Sequence, residues 1–543
     1  MDLFNTTQMK KIITIGILAM LLHGVSMGQT AKKPNILFIA VDDLKPIIGA
    51  YGNTFIKTPN LDRLASRGTT FLNNYCQQAV CGPTRASIIT GMRPDYTKIW
   101  DLKTQLRAVS PDIVTMPQYL ITQGYSTQGI GKVFDPRNVD ASTDKLSWSV
   151  PYYKTDKKYY VPGLGEPAEG RYQDPATKLA VEKVINEALA SGKTKAQAND
   201  EAGIKIKPAT ESLDVPDNAY NDGANILQAK DILGKLSKSD QPFFFAVGIA
   251  KPHLPFVAPK KYWDLYKRED IVVAPFQDKI TNSVSVAYHN AGELRAYTDI
   301  PADIATTTQK DFGLTLSMDK QKELIHGYYA AISYTDALVG KLLDALDSLD
   351  LSKNTIVVLW GDHGWHLGDH NLWCKHSNFE DATHAPLFIS APGIKSNKTK
   401  SFSEHVDVFP TLCDLAGIPI PTQLQGKSLK PLMKNAVATV KEYSLSQYPR
   451  SSVDEENDRL GYADANVMGY SIREKQFRYT IWMRNSFRST MPFNTASVIG
   501  DELYDYKADP LEKHNVVKDK KYDLTAKRLK AEMLRYFESQ VKK

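Results

Sequence analysis

The chain has 543 residues, of which 42% are hydrophobic and 24% are charged, a balance typical of a folded protein rather than a disordered one. Its length suits one large α/β core with a smaller appended unit. The formal net charge of +6, from 67 basic and 61 acidic residues, weakly favours a polyanionic partner and does not indicate a nucleic-acid-binding domain.

The N-terminus has the charged, apolar and small-residue order of a secretory signal peptide. Lys10 and Lys11 precede the apolar run Ile12–Leu22, which Ser26-Met27-Gly28 follow. The run is short for a transmembrane helix, and its flanks give no signal for a stable membrane anchor. We therefore expect residues 1–28 to direct export to the periplasm or the medium, with a buried N-terminal helix as the alternative.

Short apolar runs predict the buried strands of a mostly parallel sheet, because helices cover both faces of such a sheet. Helical patterns lie between the runs. One begins at Thr58-Pro59-Asn60 and ends at Gly68, and a longer one spans Tyr328 to Leu349. This alternation predicts a doubly wound α/β fold. The predicted strands are Ile36–Val41, Ser126–Ile130, Phe243–Ile249, Ile356–Trp360 and Leu387–Ser390.

Changes in composition divide the chain. Residues from about 150 to 220 are polar and predict an insertion with a helix near Lys178–Ala190, which either shapes a substrate mouth or is a surface excursion. Another change near residue 430 separates a main domain, 29–430, from a smaller α+β subdomain, 431–543. That subdomain is predicted to contain the strands Gly469–Arg473, Arg478–Met483 and Glu502–Asp505 and the helix Leu524–Gln540.

Charged side chains come directly after four of the predicted strands. In open α/β sheets, ligands bind outside the carboxyl ends of the strands, so these residues predict one shared site. The aspartates among them offer hard oxygen ligands that suit Ca²⁺ or Mg²⁺. The residues are Asp42, Asp43, Lys132, Lys251, His253, Asp362 and His363.

The segment Cys81-Gly82-Pro83-Thr84-Arg85 predicts a second part of this site. Pro83 suits the first turn of a short helix that Gly91 ends, which places Cys81 at the helix N-terminus. Unpaired N–H groups and the helix dipole there favour an anion and predict a lowered thiol pKa. A lone cysteine is usually a buried, inert residue, but C-x-P-[ST]-R with this helical continuation is far more specific.

This segment resembles the signature of the type I sulfatases, which implies an alkaline-phosphatase-like core. The resemblance covers almost the whole chain after the N-terminal run. The stretches Lys251-Pro252-His253-Leu254-Pro255-Phe256 and Ser446-Gln447-Tyr448-Pro449-Arg450 are similar to those of iduronate-2-sulfatase-like enzymes. The resemblance implies that a formylglycine-generating or anaerobic maturation enzyme converts Cys81 to formylglycine (3-oxoalanine), whose hydrate attacks the sulfur.

The resemblance also implies a Ca²⁺ site, a set of catalytic residues and a set of substrate-binding residues. The implied metal ligands are Asp42, Asp43, the converted Cys81, Asp362 and His363, with the imidazole a less usual calcium ligand than the carboxylates. The implied catalytic residues are Cys81, Arg85, Lys132, His253 and Lys375. The implied substrate-binding residues are Lys132, His253, Lys375 and His384, of which His384 either faces the pocket or completes the core.

Asp135 departs from the family pattern. The run Gly131-Lys132-Val133-Phe134-Asp135 has an aspartate where iduronate-2-sulfatase-like enzymes have a histidine that contacts the formylglycine. An anion at this position either accepts a hydrogen bond from the diol and acts as a base, or repels the sulfate. A further possibility is that another histidine fills the role.

The expected substrate is a sulfated polysaccharide or its oligosaccharides. A 2-O-sulfated uronic acid is the first choice, in a glycosaminoglycan or an algal glycan such as ulvan. One alternative is a two-zinc phosphatase or phosphodiesterase of the same superfamily. Another is a sulfated-glycan-binding relative without turnover, which Asp135 favours. The zinc alternative would use Asp362, His363, His366, Asp369 and His370.

Overall fold

The strands fall into a large sheet, a smaller sheet and two short ladders. This computed structural model describes residues 32–139, 144–300, 313–450, 467–484 and 497–541, so the predicted signal peptide lies outside the described residues. In chain order the strands are β1 (Asn35–Val41), β2 (Thr69–Tyr75), β3 (Ser126–Gly131), β4 (Thr210–Leu213), β5 (Phe243–Ile249), β6 (Phe256–Pro259), β7 (Thr355–Gly361), β8 (His366–Leu367), β9 (Trp373–Cys374), β10 (Leu387–Ser390), β11 (Asn397–Glu404), β12 (Tyr443–Arg450), β13 (Val467–Glu474), β14 (Phe477–Arg484) and β15 (Val498–Asp505).

Within these residues the large sheet has seven strands in the order β11-β2-β10-β7-β1-β5-β3. The central strand β1 pairs in parallel with β5 and β7, and β3 pairs in parallel with β5, which confirms the predicted mostly parallel sheet. The prediction is wrong for the direction of β10, which runs antiparallel to both β7 and β2. An apolar run shows that a strand is buried but carries no information about its direction.

Helices cover both faces of the large sheet, as the doubly wound prediction requires. Leu37 and Ile39 of β1 pack into one apolar cluster, and Ile36 and Phe38 pack into another. In the described part of the chain the α-helices are Pro59–Arg67, Cys81–Thr90, Pro94–Thr97, Leu106–Val109, Met116–Thr122, Pro175–Ala190, Lys195–Lys205, Asn221–Leu236, Lys260–Trp263, Gly292–Arg295, Met318–Ser348, Glu380–Thr383, Val408–Ala416, Lys430–Lys434 and Asp523–Val541.

Two helical predictions cover less than the structure shows. The long helix begins at Met318 rather than Tyr328, because the side chain of Ser317 caps its N-terminus and its first turns carry too many polar residues to show an apolar stripe. The predicted insertion contains a second helix, Lys195–Lys205, whose N-cap Thr194 forms a capping box with Gln197. It also contains β4, which pairs in parallel with β6.

The C-terminal region forms an antiparallel sheet in the order β12-β13-β14-β15. Leu529, Met533 and Phe537 of the final helix pack against Ile472 and Ile481 of this sheet, which confirms the predicted α+β architecture. The predicted domain boundaries, including that near residue 430, stay predictions. Across the described ranges, no helix combines the length and apolarity that crossing a bilayer requires.

Candidate active site

The carboxyl ends of neighbouring strands bring the predicted acidic residues together. Asp42 and Asp43 follow β1, and Asp362 follows β7, whose last residue pairs with the last residue of β1. The backbone N–H of Asp43 donates to Oδ1 of Asp362 at 2.8 Å. Asp43 has a φ of 57°, a left-handed conformation that aspartate tolerates better than most residues. The turn after β1 therefore directs two carboxylates toward the same sheet edge.

The helix that carries the cysteine begins at Cys81 and ends before Gly91, as predicted. The φ of Gly91 is 67°, the left-handed conformation expected of a helix C-terminus. The Sγ atom of Cys81 lies 3.5 Å from Nε2 of His363 and 3.9 Å from Oδ1 of Asp43. The structure thus joins the thiol to the residues that follow β1 and β7.

Arg85 and Lys132 neutralise part of the acidic cluster. The Nη2 of Arg85 lies 2.8 Å from Oδ1 of Asp42 and its Nε lies 3.1 Å from Oδ2 of Asp362. The Nζ of Lys132 lies 2.5 Å from Oδ2 of Asp42. Burial opposes ionisation of Asp42, but Lys132 and Arg85 hold its pKa well below the ordinary value. Burial and the charge of Asp42 raise the pKa of Asp362, despite His363 and Arg85.

Lys375 and His253 lie on the other side of Asp43. The Nζ of Lys375 lies 3.0 Å from Oδ2 of Asp43, and Nε2 of His253 lies 3.8 Å from the same oxygen. Both side chains also contact Glu293, a residue that the sequence analysis missed. Glu293 lies in the four-residue helix Gly292–Arg295 and belongs to no motif, so only tertiary packing reveals it.

These residues fit a divalent cation. The ligand atoms of Asp43, Cys81, Asp362 and His363 lie within 4.8 Å of one another. The set is dominated by carboxylate oxygens, which hard cations prefer. A cation here would also offset the repulsion between Asp42 and Asp362 that raises the pKa of Asp362. The arrangement is therefore a possible metal site.

A further acidic group has a different explanation. His366, Asp369 and Asp381 also lie close enough to share an ion. However, Nζ of Lys45 lies 3.2 Å from Asp369 and 2.6 Å from Asp381, so a lysine already supplies the positive charge. The Nε2 of His366 contacts the hydroxyl of Ser377 at 2.9 Å. These acidic residues and Lys45 therefore form a structural ion-pair network.

The predicted lowering of the Cys81 pKa is wrong. Burial and the negative charge of Asp42 raise the pKa of this thiol well above its ordinary value, and Lys132 and Lys375 offset only part of the effect. The helix N-terminus favours a thiolate, but the adjacent carboxylates and the loss of hydration oppose it more strongly. The raised pKa disfavours the thiolate form of an unmodified Cys81.

Three predicted histidines lie away from Cys81. The Nε2 of His384 contacts the carbonyl of Leu72 at 2.8 Å, and its ring stacks on Tyr75, so the expectation that His384 faces the pocket is not met. His384 instead completes the packing beside β2, the second option that the sequence offered. His370 contacts the carbonyl of Leu511 at 2.8 Å, and His366 contacts Ser377 as described above.

Asp135 pairs with Arg137, a neighbour in the sequence that no motif indicates. Its Oδ1 lies 2.9 Å from Nε of Arg137, and its Oδ2 lies 2.8 Å from Nη2. Burial opposes ionisation of Asp135, but Arg137 and Lys132 hold its pKa well below the ordinary value. Arg137 therefore neutralises the charge of Asp135, so Asp135 needs no further counterion to avoid repelling the sulfate.

Two cavities open beside these residues. One, of about 580 Å³, is lined by Cys81, Arg137, His253, Glu293 and Lys375, among others. The second, of about 260 Å³, adjoins Asp42, Lys132 and His253. His253 lines both cavities, so its imidazole reaches the space beside Cys81 and the space beside Lys132. Cys81 itself is buried, and the cavity of about 580 Å³ that it lines is large enough for a ligand of sugar size.

Comparisons with known proteins agree with this geometry. The family model Sulfatase matches residues 34–418. Iduronate 2-sulfatase of Homo sapiens is 33% identical over 91% of this chain and 92% of that protein. A sulfatase of Formosa agariphila is 31% identical over 78% of this chain and 77% of that protein.

Solved structures share the fold at lower identity. The phosphonate monoester hydrolase of Agrobacterium radiobacter has a TM-score of 0.65 at 20% identity, over 94% of this chain and 96% of that one. A 2-O GAG sulfatase has a TM-score of 0.61 at 21% identity, over 94% and 93%. The match to the family model and the relatives that are similar over most of their length together support the assignment to this family. The chain therefore belongs to the type I sulfatase family, whose members are sulfuric ester hydrolases, and is iduronate-2-sulfatase-like.

Proposed function

We propose that the protein hydrolyses sulfate esters of a sulfated polysaccharide or its oligosaccharides, and that Cys81, once converted to formylglycine, provides the nucleophile. The main support is the position of Cys81. Its Sγ lies within 4 Å of both Asp43 and His363, and Cys81 lines the larger cavity together with basic residues such as Lys375. The raised pKa of the thiol also favours the proposal, because it disfavours the thiolate form of an unmodified cysteine.

Calcium is the proposed metal. Asp42, Asp43, Asp362 and His363 would hold it, with the converted Cys81 as a further ligand. When bound, the ion supplies Lewis acidity and a fixed template for the sulfate. The carboxylate-rich donor set supports calcium over a softer metal, and the single imidazole is its least typical member.

The remaining residues have separable roles in this proposal. Arg85, Lys132 and Lys375 would stabilise the negative charge that develops on the sulfate and on the nucleophile. Removal of one such preorganised contact typically costs about 2.7–4 kcal/mol of transition-state stabilisation. His253 would donate a proton to the departing sugar oxygen, and its place between the two cavities supports that role.

A 2-O-sulfated uronic acid is the proposed substrate unit. The support is the resemblance to a human protein named iduronate 2-sulfatase, which extends over nearly the full length of both chains. We propose this unit for either source, a glycosaminoglycan or an algal glycan such as ulvan. The glycan-binding alternative without turnover has less support, because the neutralised Asp135 no longer argues for it.

The two-zinc alternative has little support. It would need His366 and His370, whose rings contact Ser377 and the carbonyl of Leu511 instead of the cluster around Cys81. It also gives no role to Cys81. Metal analysis of the purified protein separates the alternatives, since two tightly bound zinc ions per chain would contradict the calcium proposal.

The deciding experiment is sulfate release from a panel of defined sulfated oligosaccharides, with Cys81→Ala as the blank. We expect release from 2-O-sulfated uronides by matured protein and none by the variant. Intact mass should show the conversion of Cys81 in the active fraction. Activity in protein whose Cys81 is entirely unmodified would contradict the proposed nucleophile.

We also propose export to the periplasm or the medium and maturation by a partner enzyme. The pattern of Lys10, Lys11 and the run Ile12–Leu22 supports removal of an N-terminal signal. N-terminal sequencing of the mature protein tests this, since a chain that still starts at Met1 in the exported fraction would oppose it.

A further inference from the structure

We propose that Arg137, oriented by Asp135, binds a second anionic group of the substrate, a carboxylate or an additional sulfate next to the sulfate ester that is cleaved. This inference rests on the proposed function and adds a specificity-determining residue to it. It concerns the position at which this chain departs from the family pattern described above.

Asp135 holds Arg137 firmly. The carboxylate of Asp135 is almost fully buried, with 1% of its side chain exposed, whereas the side chain of Arg137 is 49% exposed. Oδ1 of Asp135 also accepts from the backbone N–H of Arg137 at 3.0 Å. Three hydrogen bonds therefore fix both ends of the arginine, so less conformational entropy is lost when it binds a ligand.

The ion pair with Asp135 leaves one edge of the Arg137 guanidinium able to donate hydrogen bonds to a ligand. Asp135 occupies Nε and Nη2, and Nη1 has no hydrogen-bond partner among the described residues. An arginine has five N–H donors, so the hydrogens of Nη1 and the second hydrogen of Nη2 remain available side by side. That edge matches two oxygens of a carboxylate or sulfate.

The larger cavity beside Cys81 is where such an anion would bind. Arg137 lines the same cavity of about 580 Å³ as Cys81. Arg171, Lys207 and Arg295 also line it, while the acidic residue among its described lining residues is Glu293. Glu293 is ion-paired to Lys375, so basic residues outnumber acidic ones among these described lining residues.

In the proposed function, other residues serve the cleaved sulfate. Arg85 and Lys132 contact Asp42, and Lys375 contacts Asp43, so three cations surround the nucleophile position without Arg137. A fourth cation that is anchored separately on Asp135 suits a separate anion. We therefore assign Asp135 as a positioning residue and Arg137 as the residue that contacts the substrate.

The test compares Arg137→Gln with wild type on three substrates. These are a 2-O-sulfated uronide disaccharide, the same disaccharide with its carboxyl reduced to an alcohol, and 4-nitrophenyl sulfate. Loss of a charge-assisted pair predicts a fall in kcat/KM of about 10- to 100-fold on the uronide, mainly through KM. Activity on the other two should stay within about threefold. A disulfated, carboxyl-free sugar distinguishes a second sulfate from a carboxylate.

Asp135→Asn tests the positioning role. The amide keeps the shape but loses the charge, so we expect KM for the uronide to rise less than in Arg137→Gln, with kcat retained. Arg67→Gln is the matched control, because Arg67 makes a comparable two-bond pair with Asp347 away from the cavity. An equal loss on all substrates in Arg137→Gln, or no loss on any anionic sugar, would overturn the proposal.

A binding measurement separates this inference from the proposed reaction. In the Cys81→Ala background, calorimetry with an unsulfated uronide oligosaccharide and with a sulfated carboxyl-free one needs no turnover. Addition of Arg137→Gln should weaken at least one of them about 10-fold or more. If wild type releases no sulfate but this difference appears, the proposed function fails and the anion subsite stands. If sulfate is released but neither ligand is affected, only the subsite fails.

Discussion

The Nζ of Lys375 lies 2.9 Å from Oε1 of Glu293, and this ion pair joins two segments that are far apart in the sequence. Oε1 of Glu293 also lies 3.2 Å from Nε2 of His253, and Oε2 lies 3.0 Å from Nε2 of His376. Burial opposes ionisation of Glu293, but Lys375 and the hydrogen bonds of the two histidines hold its pKa well below the ordinary value. The carboxylate of Glu293 thus orients Lys375, His253 and His376 on one side of the site.

Replacing Glu293 by Gln should lower kcat by about 10- to 100-fold, the usual cost of losing a partner that orients a functional group. The amide keeps the volume but cannot attract both Lys375 and the imidazole of His253. Steady-state sulfate release measures the effect. Glu323→Gln is the control, since Glu323 also pairs with a lysine, Lys320, at 3.0 Å but belongs to the long helix. A wild-type kcat in Glu293→Gln would contradict this role.

Asp43 offers the sharpest test of the metal proposal. Both of its oxygens contact Lys375, and Oδ1 lies 3.3 Å from Nε2 of His363. Asp43→Asn removes the charge while keeping a residue type that tolerates the left-handed backbone, so loss of metal binding should not be confused with misfolding. We expect this variant to lose both sulfate release and calcium-dependent stabilisation.

Thermal unfolding with calcium or with a chelator measures this effect. A ligand at 100 times its Kd stabilises the native state by about 2.7 kcal/mol, so wild type should unfold at a lower temperature when the chelator is present. The exposed Asp344, paired with Arg63, provides the control Asp344→Asn, which should keep the calcium response. A wild-type protein indifferent to the chelator in both unfolding and turnover would refute the metal site.

The parts of the site that the sequence predicts follow strands or belong to the segment Cys81-Gly82-Pro83-Thr84-Arg85. Asp42 and Asp362 meet because β1 and β7 are parallel neighbours. Lys132 reaches the same edge because β3 runs parallel to β5, which runs parallel to β1, and parallel strands present their carboxyl ends at one edge. Short motifs are therefore sufficient to predict these residues. Glu293 and Arg137 lie outside any strand end or motif, and their places depend on how loops pack. Sequence periodicity carries no signal for such contacts.

The missed strands have a similar cause. β2 contains Asn73 and Asn74, which interrupt its apolar pattern, and β11 is an edge strand rich in lysine and serine. Edge strands commonly carry polar residues, which obscure the strand signal. In contrast, β1 and β5 are buried throughout, and their apolar runs predict nearly the observed bounds.

A contact between two glycines positions Lys132. Gly131 of β3 lies opposite Gly248 of β5, and a Cβ on Gly248 would lie 2.1 Å from the carbonyl carbon of Lys132. Gly248→Ala should therefore push the β3 backbone away and separate Lys132 from Asp42. We expect a stability loss of about 1–3 kcal/mol from overpacking, together with reduced sulfate release.

Urea unfolding and turnover measure these two effects of Gly248→Ala. Gly234→Ala is the matched control, since Gly234 lies in the helix Asn221–Leu236 and a Cβ there meets nothing within 4 Å. That control should gain up to about 1 kcal/mol from helix propensity. If Gly248→Ala keeps wild-type stability and turnover, the close approach does not position Lys132.

Glu502 should make stability depend on pH in a direction unusual for a carboxylate. It is buried in the C-terminal sheet, where Trp482 Nε1–H and the Tyr504 hydroxyl donate to it at 2.9 and 2.7 Å. Burial raises its pKa from 4.5 to about 7, helped by the nearby charge of Glu512 and opposed by these two donors.

Between pH 4.5 and 7 the unfolded chain releases the Glu502 proton while the folded chain keeps it, so stability falls as the pH rises through this range. A shift of this size corresponds to about 3 kcal/mol at most. Glu502→Gln removes the dependence, so the free energy of unfolding of the variant minus that of wild type should increase from pH 4.5 to pH 7. Urea titrations at four pH values measure that difference, and the exposed Glu182→Gln should show none. A difference that stays constant with pH would mean that Glu502 is ionised in the folded protein, and the burial argument for its pKa would then be wrong.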